Sequence, residues 1–372
     1  IMLKSSGMMR IKGWLEKDVL MRRNTDYVSW SFVEKQLLEF HKLKNYLNEG
    51  YAIFFVGDAI DFCYTKDMCF AKLKDGFERC KIGKVAYIPA ERNAVTLPNI
   101  ASLKMPEYNT RSFIFDWLEV HQKFQKKNAV DLLKLKLKYY YDESSQKDMI
   151  VLEDGKEIGL EEASSGLQSV VPLYVYVYYL THWIYDHQED ISFEKKDRIE
   201  GALSREYIKM FSKQMNVVMD EEFLNQAVKE AKLSPGFKKI LGTAKTLKKA
   251  GNDSLDNLLE TVLELEENIS HPHYSNIIVE EPELNLFPET QKDLIYDLLE
   301  MINSGRDHLL MTTHSPYLLY ALNNCMLGAL VQENIPEEEE GLQKMKDSFV
   351  KPEDVSVWEI KNGKFFPYKE NP

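Results

Sequence analysis

Residues 276–288 read N-I-I-V-E-E-P-E-L-N-L-F-P, in which a short apolar run ends in two adjacent glutamates. Residues 309–316 read L-L-M-T-T-H-S-P, a second apolar run that leads into a histidine. Short apolar runs of this kind predict buried strands of a parallel sheet, whose polar groups lie at the carboxyl tips. We therefore expect an α/β fold with a functional edge formed by the ends of these two strands.

The two glutamates, Glu280 and Glu281, should point to opposite faces because neighbouring strand residues alternate. One carboxylate can then help to hold Mg²⁺, usually through water, while the other faces a γ-phosphate and orients water. The imidazole of His314, at the end of the next strand, can contact a phosphate oxygen and the same water. The alternatives are a solvated carboxylate pair at a strand end and a structural histidine.

A third motif, Ser164-Ser165-Gly166, precedes a long apolar and aromatic run at residues 170–183. A serine here can cap the helix, and the N–H groups of a helix start attract phosphate together with the helix dipole. An ordinary helix start explains the motif equally well when it is taken alone. Its place in the chain, before the carboxylate strand, favours the phosphate contact.

The apolar periodicity predicts further elements on both sides of these motifs. The expected strands cover residues 51–55, 59–64, 84–88, 134–141, 149–152, 158–160, 276–280 and 308–312, with a terminal hairpin at 356–360 and 365–368. The expected helices cover residues 14–48, 110–127, 290–302 and 316–323, with a charged helical stretch over 193–267. The chain is predicted to divide into four regions. Residues 1–160 are the amino-terminal part of the core with an antiparallel β region, and residues 161–192 hold the serine motif and the following helix. Residues 193–270 are a helical insertion, and residues 271–372 are the carboxyl-terminal part of the core with the terminal hairpin.

The charge, apolar runs and cysteines of the sequence argue against some classes of protein. The net charge of −12 argues against a chain that coats nucleic acid along its whole surface. No apolar run approaches the ~20 residues that span a bilayer, so we expect no membrane contact. The four cysteines fit no zinc or disulfide pattern, so we expect a cytoplasmic protein. One basic cluster is either a solvated helix face or a nucleic-acid contact. It comprises Lys238, Lys239, Lys245, Lys248 and Lys249.

These motifs together resemble a known group of ATPases. The stretch Ser164-Ser165-Gly166-Leu167-Gln168 resembles the signature motif of ABC-type ATPases, and Ile277–Pro282 resembles Walker B. Leu286-Phe287-Pro288 resembles the L-H-P that follows Walker B in RecF/SMC/OLD-like AAA proteins, and Thr312–Pro316 resembles their H-loop. Tyr87–Arg92 looks like a strand segment of the same group.

The resemblance implies an ABC-type P-loop NTPase core, mainly a parallel sheet plus an antiparallel β subdomain, with a helical insertion. It implies ATP and Mg²⁺ as cofactors and a head-to-tail homodimer that meets through its signature and D-loop faces. The roles it implies are the magnesium position for Glu280, the catalytic glutamate for Glu281, the switch histidine for His314, and nucleotide or interface contacts for Ser164, Ser165, Gly166, Gln168 and Asn285.

One motif of the group does not appear. Walker A reads G-x-x-x-x-G-K-[ST], and no glycine before residue 160 fits it. We expect a chain that is shortened or altered at its amino terminus, with a degenerate ATPase as the second explanation.

Two functions follow as hypotheses. The first is ATP hydrolysis coupled to dimerisation and to action on a partner protein or nucleic acid, in DNA repair or anti-phage defence. The second is an inactive scaffold that works through protein contacts.

Overall fold

The computed structural model describes residues 52–57, 60–65, 69–74, 81, 83–97, 108–187 and 271–368 without 337, 344 and 363, together with isolated positions between 204 and 268. The chain divides into two compact units. The first comprises Lys84–His187 and Tyr274–Pro372 together with Ile1–Gly7, and the second comprises Met8–Gly83 and Gln188–His273.

The second unit contains a three-stranded antiparallel sheet. Its strands are β1 (Ile53–Val56), β2 (Ile60–Tyr64) and β3 (Cys69–Leu73), in the order β1–β2–β3. The strands expected at 51–55 and 59–64 are confirmed, whereas β3 was not expected. The described positions between 204 and 268 are helical. The expected helix at 14–48 and the lysine cluster at 238–249 lie outside the described residues.

The first unit holds the remaining described strands and the long helices. Its strands are β4 (Gly83–Ile88), β5 (Val130–Leu132), β6 (Leu137–Asp142), β7 (Lys147–Val151), β8 (Glu157–Gly159), β9 (Tyr274–Glu280), β10 (His308–Thr312), β11 (Trp358–Lys361) and β12 (Lys364–Pro367). Its long helices are α1 (Tyr108–Val120), α2 (Ser165–Tyr178), α3 (Pro288–Ile302) and α4 (Pro316–Val331). Shorter helical turns cover Arg92–Thr96, His121–Lys123, Lys126–Asn128, Leu160–Glu162, Ile184–Asp186, Gln332–Asn334, Glu340–Gln343, Lys346–Ser348 and Pro352–Asp354, and a π-helical turn covers Tyr179–Trp183.

The sheet that carries the predicted site has the strand order β10–β9–β4. Strands β9 and β10 are parallel, and Thr312 lies opposite Glu280 in their register. Ile277, Ile278 and Val279 are fully buried, which explains why charge is confined to the tip of β9. The carboxyl ends of β9 and β10 therefore meet at one edge, as the sequence predicts.

The antiparallel part of the first unit has the order β5–β6–β7–β8, and β11 with β12 forms the expected terminal hairpin. A parallel pair and separate antiparallel sheets make the protein a mixed α/β fold, as predicted. This architecture is compatible with a P-loop NTPase-like fold. The ABC-type core and the four predicted regions stay predictions.

Helix α2 is the centre of the core. Every residue from Ser169 to Val177 is buried, so the helix packs on all of its sides. Two tyrosines on it place their hydroxyls on carboxylates of neighbouring helices. Tyr176 donates to Asp116 of α1 (2.7 Å), and Tyr174 donates to Asp297 of α3 (3.2 Å). These bonds satisfy the polar ends of buried aromatic side chains.

A second polar network fixes the amino ends of β9 and β10. The fully buried carboxylate of Asp307 accepts hydrogen bonds from the Tyr185 hydroxyl (2.7 Å) and the Ser275 N–H group (2.6 Å). The neighbouring guanidinium of Arg306 lies 3.4 Å from the Tyr185 ring centroid and donates to the Thr181 carbonyl (2.6 Å). The strands are thus anchored at the edge opposite the predicted site.

Helix α1 ends at Val120, before the expected end at residue 127. The chain there turns through short 3₁₀ segments, in which the Phe124 N–H group donates to the His121 carbonyl (3.3 Å). The Phe124 ring packs against Trp183 with 5.2 Å between the ring centroids. This burial holds the chain in a turn, although the periodicity alone would continue the helix.

The strand expected at 134–141 begins only at Leu137. Leu133 and Lys136 have φ values of 49° and 53°, a left-handed conformation that interrupts a strand. The chain forms a turn here, preceded by β5, which was not expected. Neither residue is a Gly, Asn or Asp, so the sequence carries no turn signal at these positions.

Helix α4 runs to Val331, well beyond the expected end at residue 323. Its carboxyl half is held by close packing, since a β-carbon on Gly328 would clash with the ring of Phe349.

The helices that the structure describes are all too short or too polar to span a bilayer.

The first unit should lose stability as the pH rises through about 6. Burial raises the pKa of Asp297 to about 6, although the hydrogen bond from Tyr174 opposes this shift. An acid whose pKa is raised on folding stabilises the fold below its unfolded pKa, and this contribution disappears above its folded pKa. Asp297→Asn, which stays neutral and can still accept from Tyr174, should therefore raise the free energy of unfolding near neutral pH by about 1 kcal/mol.

Urea denaturation of both proteins at about pH 5 and about pH 7.5 measures this effect. The two proteins should differ more at the higher pH. Asp131→Asn is the matched control, because the Asp131 side chain is 75% exposed. A stability difference between Asp297→Asn and wild type that is the same at both pH values would contradict the assignment.

Candidate functional site

The turn after β9, residues 280–283, is called the carboxylate turn. Glu280 ends the strand, and Glu281 takes a φ of 43°, a left-handed conformation that costs a residue with a β-carbon about 1 to 2 kcal/mol. The Glu281 N–H group donates to the Thr312 carbonyl at 2.8 Å. Its backbone is thus held in a strained geometry against the tip of β10, a pattern that often marks a functional position.

His314 lies beside this turn. Its Nε2 is 3.7 Å from Oε1 of Glu281, and its side chain is 88% exposed whereas that of Glu281 is 36% exposed. The His314 N–H group donates to Oε1 of Glu283 at 2.7 Å. The structure therefore brings the predicted carboxylate and imidazole together at the sheet edge, with both open to a ligand. Glu283 orients the histidine backbone, a role that was not predicted.

Gln291, at the start of α3, connects two loops of the site. Its amide oxygen accepts from the Ser315 hydroxyl at 2.5 Å, and its amide nitrogen donates to the Leu286 carbonyl at 2.9 Å. Gln291 is buried, so both bonds are shielded from water and hold the loops in one arrangement. No sequence pattern predicts this contact, because the partners of Gln291 come from separate segments.

Residues 164–168, called the signature turn, begin helix α2. Ser164 is the N-cap and accepts from the Leu167 N–H group at 3.4 Å, as predicted for one of the two serines. Ser165 is exposed at the first helical position. The Gln168 side chain turns back and donates to the Glu161 carbonyl at 2.9 Å. The first turn of α2 thus presents a serine-rich surface at a helix amino end, which suits an anion.

Gly166 packs directly against Asn285. A β-carbon on Gly166 would lie 2.9 Å from the Asn285 carbonyl oxygen, too close for any side chain without a backbone shift. Asn285 has a φ of 63°, which asparagine tolerates better than most residues. Ser164, Ser165 and Asn285 are all exposed, and Phe287 beside them is 81% exposed. Asn285, which the resemblance places near the D-loop, therefore shares one surface with the predicted signature residues.

Arg92 joins the signature turn's helix to the carboxylate turn. It is fully buried, and its guanidinium donates to the carbonyl of Ser169 in α2 at 2.9 Å. The same group donates to the carbonyls of Glu280, Glu281 and Pro282 at 2.9, 3.0 and 3.2 Å. Burial lowers the pKa of Arg92 to about 10, opposed by the nearby charges of Glu283 and Glu281. The side chain therefore stays cationic at neutral pH.

The sequence analysis included Arg92 only as the last residue of the segment Tyr87–Arg92, which resembles a strand segment of the ATPase group. The signal that points to a special role is its burial, and arginine is rarely buried without partners. Neither spacing nor periodicity indicates that a charged residue turns inward. The structure is needed to see that one side chain contacts both the carboxylate turn and Ser169, the residue that follows the signature turn.

One comparison with known proteins bears on this site. Residues 184–319 match the family model described as AAA ATPase domain. The matched range contains the carboxylate turn, Asn285 and His314, and it begins after the signature turn. The match supports an AAA-type ATPase, and the RecF/SMC/OLD-like subtype stays a prediction. No curated protein matches this chain.

Gly166→Ala should lower the free energy of unfolding by about 1 to 2 kcal/mol, even though alanine favours helix. The added methyl group would force the Asn285 backbone away from α2, because the atom it meets is a carbonyl oxygen. Urea denaturation measures the loss. Gly159→Ala is the matched control, since its β-carbon would meet only the Glu161 side chain at 3.6 Å. Similar losses in the two variants would argue against a special close approach at Gly166.

Proposed function

We propose that this chain is an ATP-binding ATPase subunit. Its carboxylate turn and His314 act on ATP, and its signature turn faces ATP held by a second copy. The observation that carries the proposal is the pairing of Glu281 with His314, 3.7 Å apart at the tips of adjacent parallel strands. The match of residues 184–319 to an AAA ATPase domain supports the same activity.

Glu281 is the proposed catalytic carboxylate. Its side chain is partly exposed and its backbone is fixed, so the carboxylate can accept a hydrogen bond from the attacking water in a defined direction. His314 has an imidazole that is almost fully exposed, while its backbone is tied to Glu283. It can therefore reach a γ-phosphate oxygen without losing its anchor.

Glu280 is the proposed magnesium residue. Carboxylate oxygen is the donor that Mg²⁺ prefers, and nucleotide sites hold this ion with one or two carboxylates plus phosphate oxygens. Glu280 is half-buried at the strand tip next to Glu281, so the donor chemistry fits. Mg²⁺ would neutralise phosphate charge when bound. Glu280 would hold it, usually through water, in line with the predicted role.

The signature and D-loop faces are the proposed dimer interface. Ser164, Ser165 and Asn285 are exposed on one surface with the aromatic ring of Phe287. An exposed aromatic group next to helix N–H groups suits a contact that buries apolar area and receives a phosphate. In a head-to-tail homodimer, Ser164, Ser165, Gly166 and Gln168 would lie near the γ-phosphate bound by the second copy.

The wider role rests on the family resemblance. Hydrolysis would be coupled to the action of a partner protein or to work on nucleic acid, in DNA repair or anti-phage defence. The carboxylate turn would act on the phosphates of ATP in each case.

The second candidate is an ATPase-like scaffold that acts through protein contacts. One observation favours it: no glycine before residue 160 belongs to a G-x-x-x-x-G-K-[ST] motif, which in P-loop enzymes supplies most phosphate contacts. Isothermal titration with Mg-ATP separates the two candidates. Binding followed by release of phosphate supports the ATPase. Neither binding nor release would favour the scaffold.

Glu281→Gln should lower ATP turnover by at least about 100-fold, because the amide cannot act as a base toward water. ATP affinity should stay within about threefold of wild type, since the shape of the side chain is kept. Phosphate release measures turnover, and sedimentation with Mg-ATP should detect an accumulated dimer.

Glu289→Gln is the control for this variant, because Glu289 is a carboxylate on the first turn of α3 whose side chain is 85% exposed. It should leave turnover unchanged. Wild-type turnover in Glu281→Gln would remove Glu281 from the mechanism. A chain that hydrolyses ATP but stays monomeric at every ATP concentration would rule out the head-to-tail part of the proposal.

A further inference from the structure

The guanidinium of Arg92 connects three separate segments of the first unit. Its guanidinium makes five hydrogen bonds, all to backbone carbonyls. The acceptors come from three segments: Pro89 after β4, Ser169 in α2 and the carboxylate turn. Three of the five are consecutive carbonyls at Glu280, Glu281 and Pro282. The cation therefore holds the backbone on both sides of the proposed catalytic glutamate.

Three consecutive carbonyls can point at one cation only if the chain leaves its extended course. The φ of 43° at Glu281 provides that change of direction. Converging carbonyl dipoles repel one another unless a positive group lies between them. The left-handed conformation of Glu281 and the charge of Arg92 thus depend on each other. Without the guanidinium, the turn would gain by relaxing to an unstrained conformation, and the carboxylate would move.

The remaining contact fixes this turn to a second place. Ser169 follows directly after the signature turn in the same helix, and its carbonyl accepts from Nε of Arg92 at 2.9 Å. One planar group therefore sets the distance between α2 and the carboxylate turn. Because hydrogen bonds weaken steeply with misalignment, the guanidinium restricts movement of either segment relative to the other.

We propose that Arg92 is a positioning residue for ATP hydrolysis: it orients the Glu281 carboxylate by holding the carboxylate turn against the helix that begins with the signature turn. The inference rests on the proposed function for its catalytic part. Its structural part, the dependence of the Glu281 conformation on Arg92, stands independently. Lysine cannot replace the arginine, because its point charge carries three donors and lacks the planar fork.

The test is Arg92→Lys, which keeps a cation at this position. In the folded variant, kcat should fall by about 100-fold, the loss expected from a misplacement of about 1 Å, while KM for ATP changes less than about threefold. Arg306→Lys is the matched control. Arg306 is also an arginine that donates to a backbone carbonyl, at the opposite edge of the sheet, so its loss should reduce stability without changing kcat.

Hydrogen exchange supplies a readout that needs no turnover. Amide exchange at Glu281 and Leu284, whose N–H groups bond to Thr312 and Glu281 carbonyls, should speed up at least tenfold in Arg92→Lys. Exchange in β6 and β7 should stay within about twofold of wild type. If Arg92→Lys does not fold, Arg92→Gln, neutral and with two amide N–H groups, is measured in the same way.

Each result decides the inference. A loss of kcat with local loosening of the carboxylate turn supports it. An unchanged turn, a change in KM alone, a uniform rise in exchange, or failure of both variants to fold would assign Arg92 to the fold and overturn it. A wild-type chain without turnover would defeat the proposed function instead, while hydrogen exchange would still decide whether Arg92 holds the Glu281 turn.

Discussion

A buried guanidinium must satisfy its N–H groups within the protein, because water cannot reach it. Arg92 meets this requirement with backbone carbonyls from three separate segments. A hydrogen bond to a charged group contributes about 1.5 to 3 kcal/mol, and an unsatisfied buried charge costs more. The segment after β4, helix α2 and the carboxylate turn therefore have to arrive at one point together. The arrangement of the rest of the site follows from that constraint.

The two strands that carry the site are held at both ends. At their amino ends, Asp307 accepts from Tyr185 and from the backbone of β9. At their carboxyl ends, the Glu281 N–H group bonds to Thr312, and Glu283 bonds to the backbone of His314. Short strands fixed at two edges leave little freedom to their tips. Rigid placement of this kind suits groups that must meet a ligand in a defined geometry.

The sequence predicted the parts of the fold and site that local chemistry determines. Apolar runs that end in charge identified β9 and β10, and with them Glu281 and His314, because a buried strand accepts charge only at its tip. The early end of α1 and the turn at Lys136 were missed, since packing and an unusual φ decided them. The role of Arg92 was not predicted, because its five carbonyl acceptors are distributed along the chain and leave no pattern in the sequence. The sequence shows which side chains lie near a strand tip. The fold is needed to show which backbone carbonyls a side chain such as Arg92 contacts.

The left-handed backbone of Glu281 has a consequence for how this position can vary. Glycine adopts such a φ freely, so Glu281→Gly would relieve about 1 kcal/mol of strain and remove the carboxylate in the same change. Stability and chemistry are therefore opposed at a single residue. A search for more stable variants of this protein, made without regard to activity, would tend to select against the glutamate. If Glu281 is retained in variants selected for activity, its retention is evidence that the carboxylate is needed for activity. Retention of a core residue is weaker evidence, because such a residue is also kept for stability.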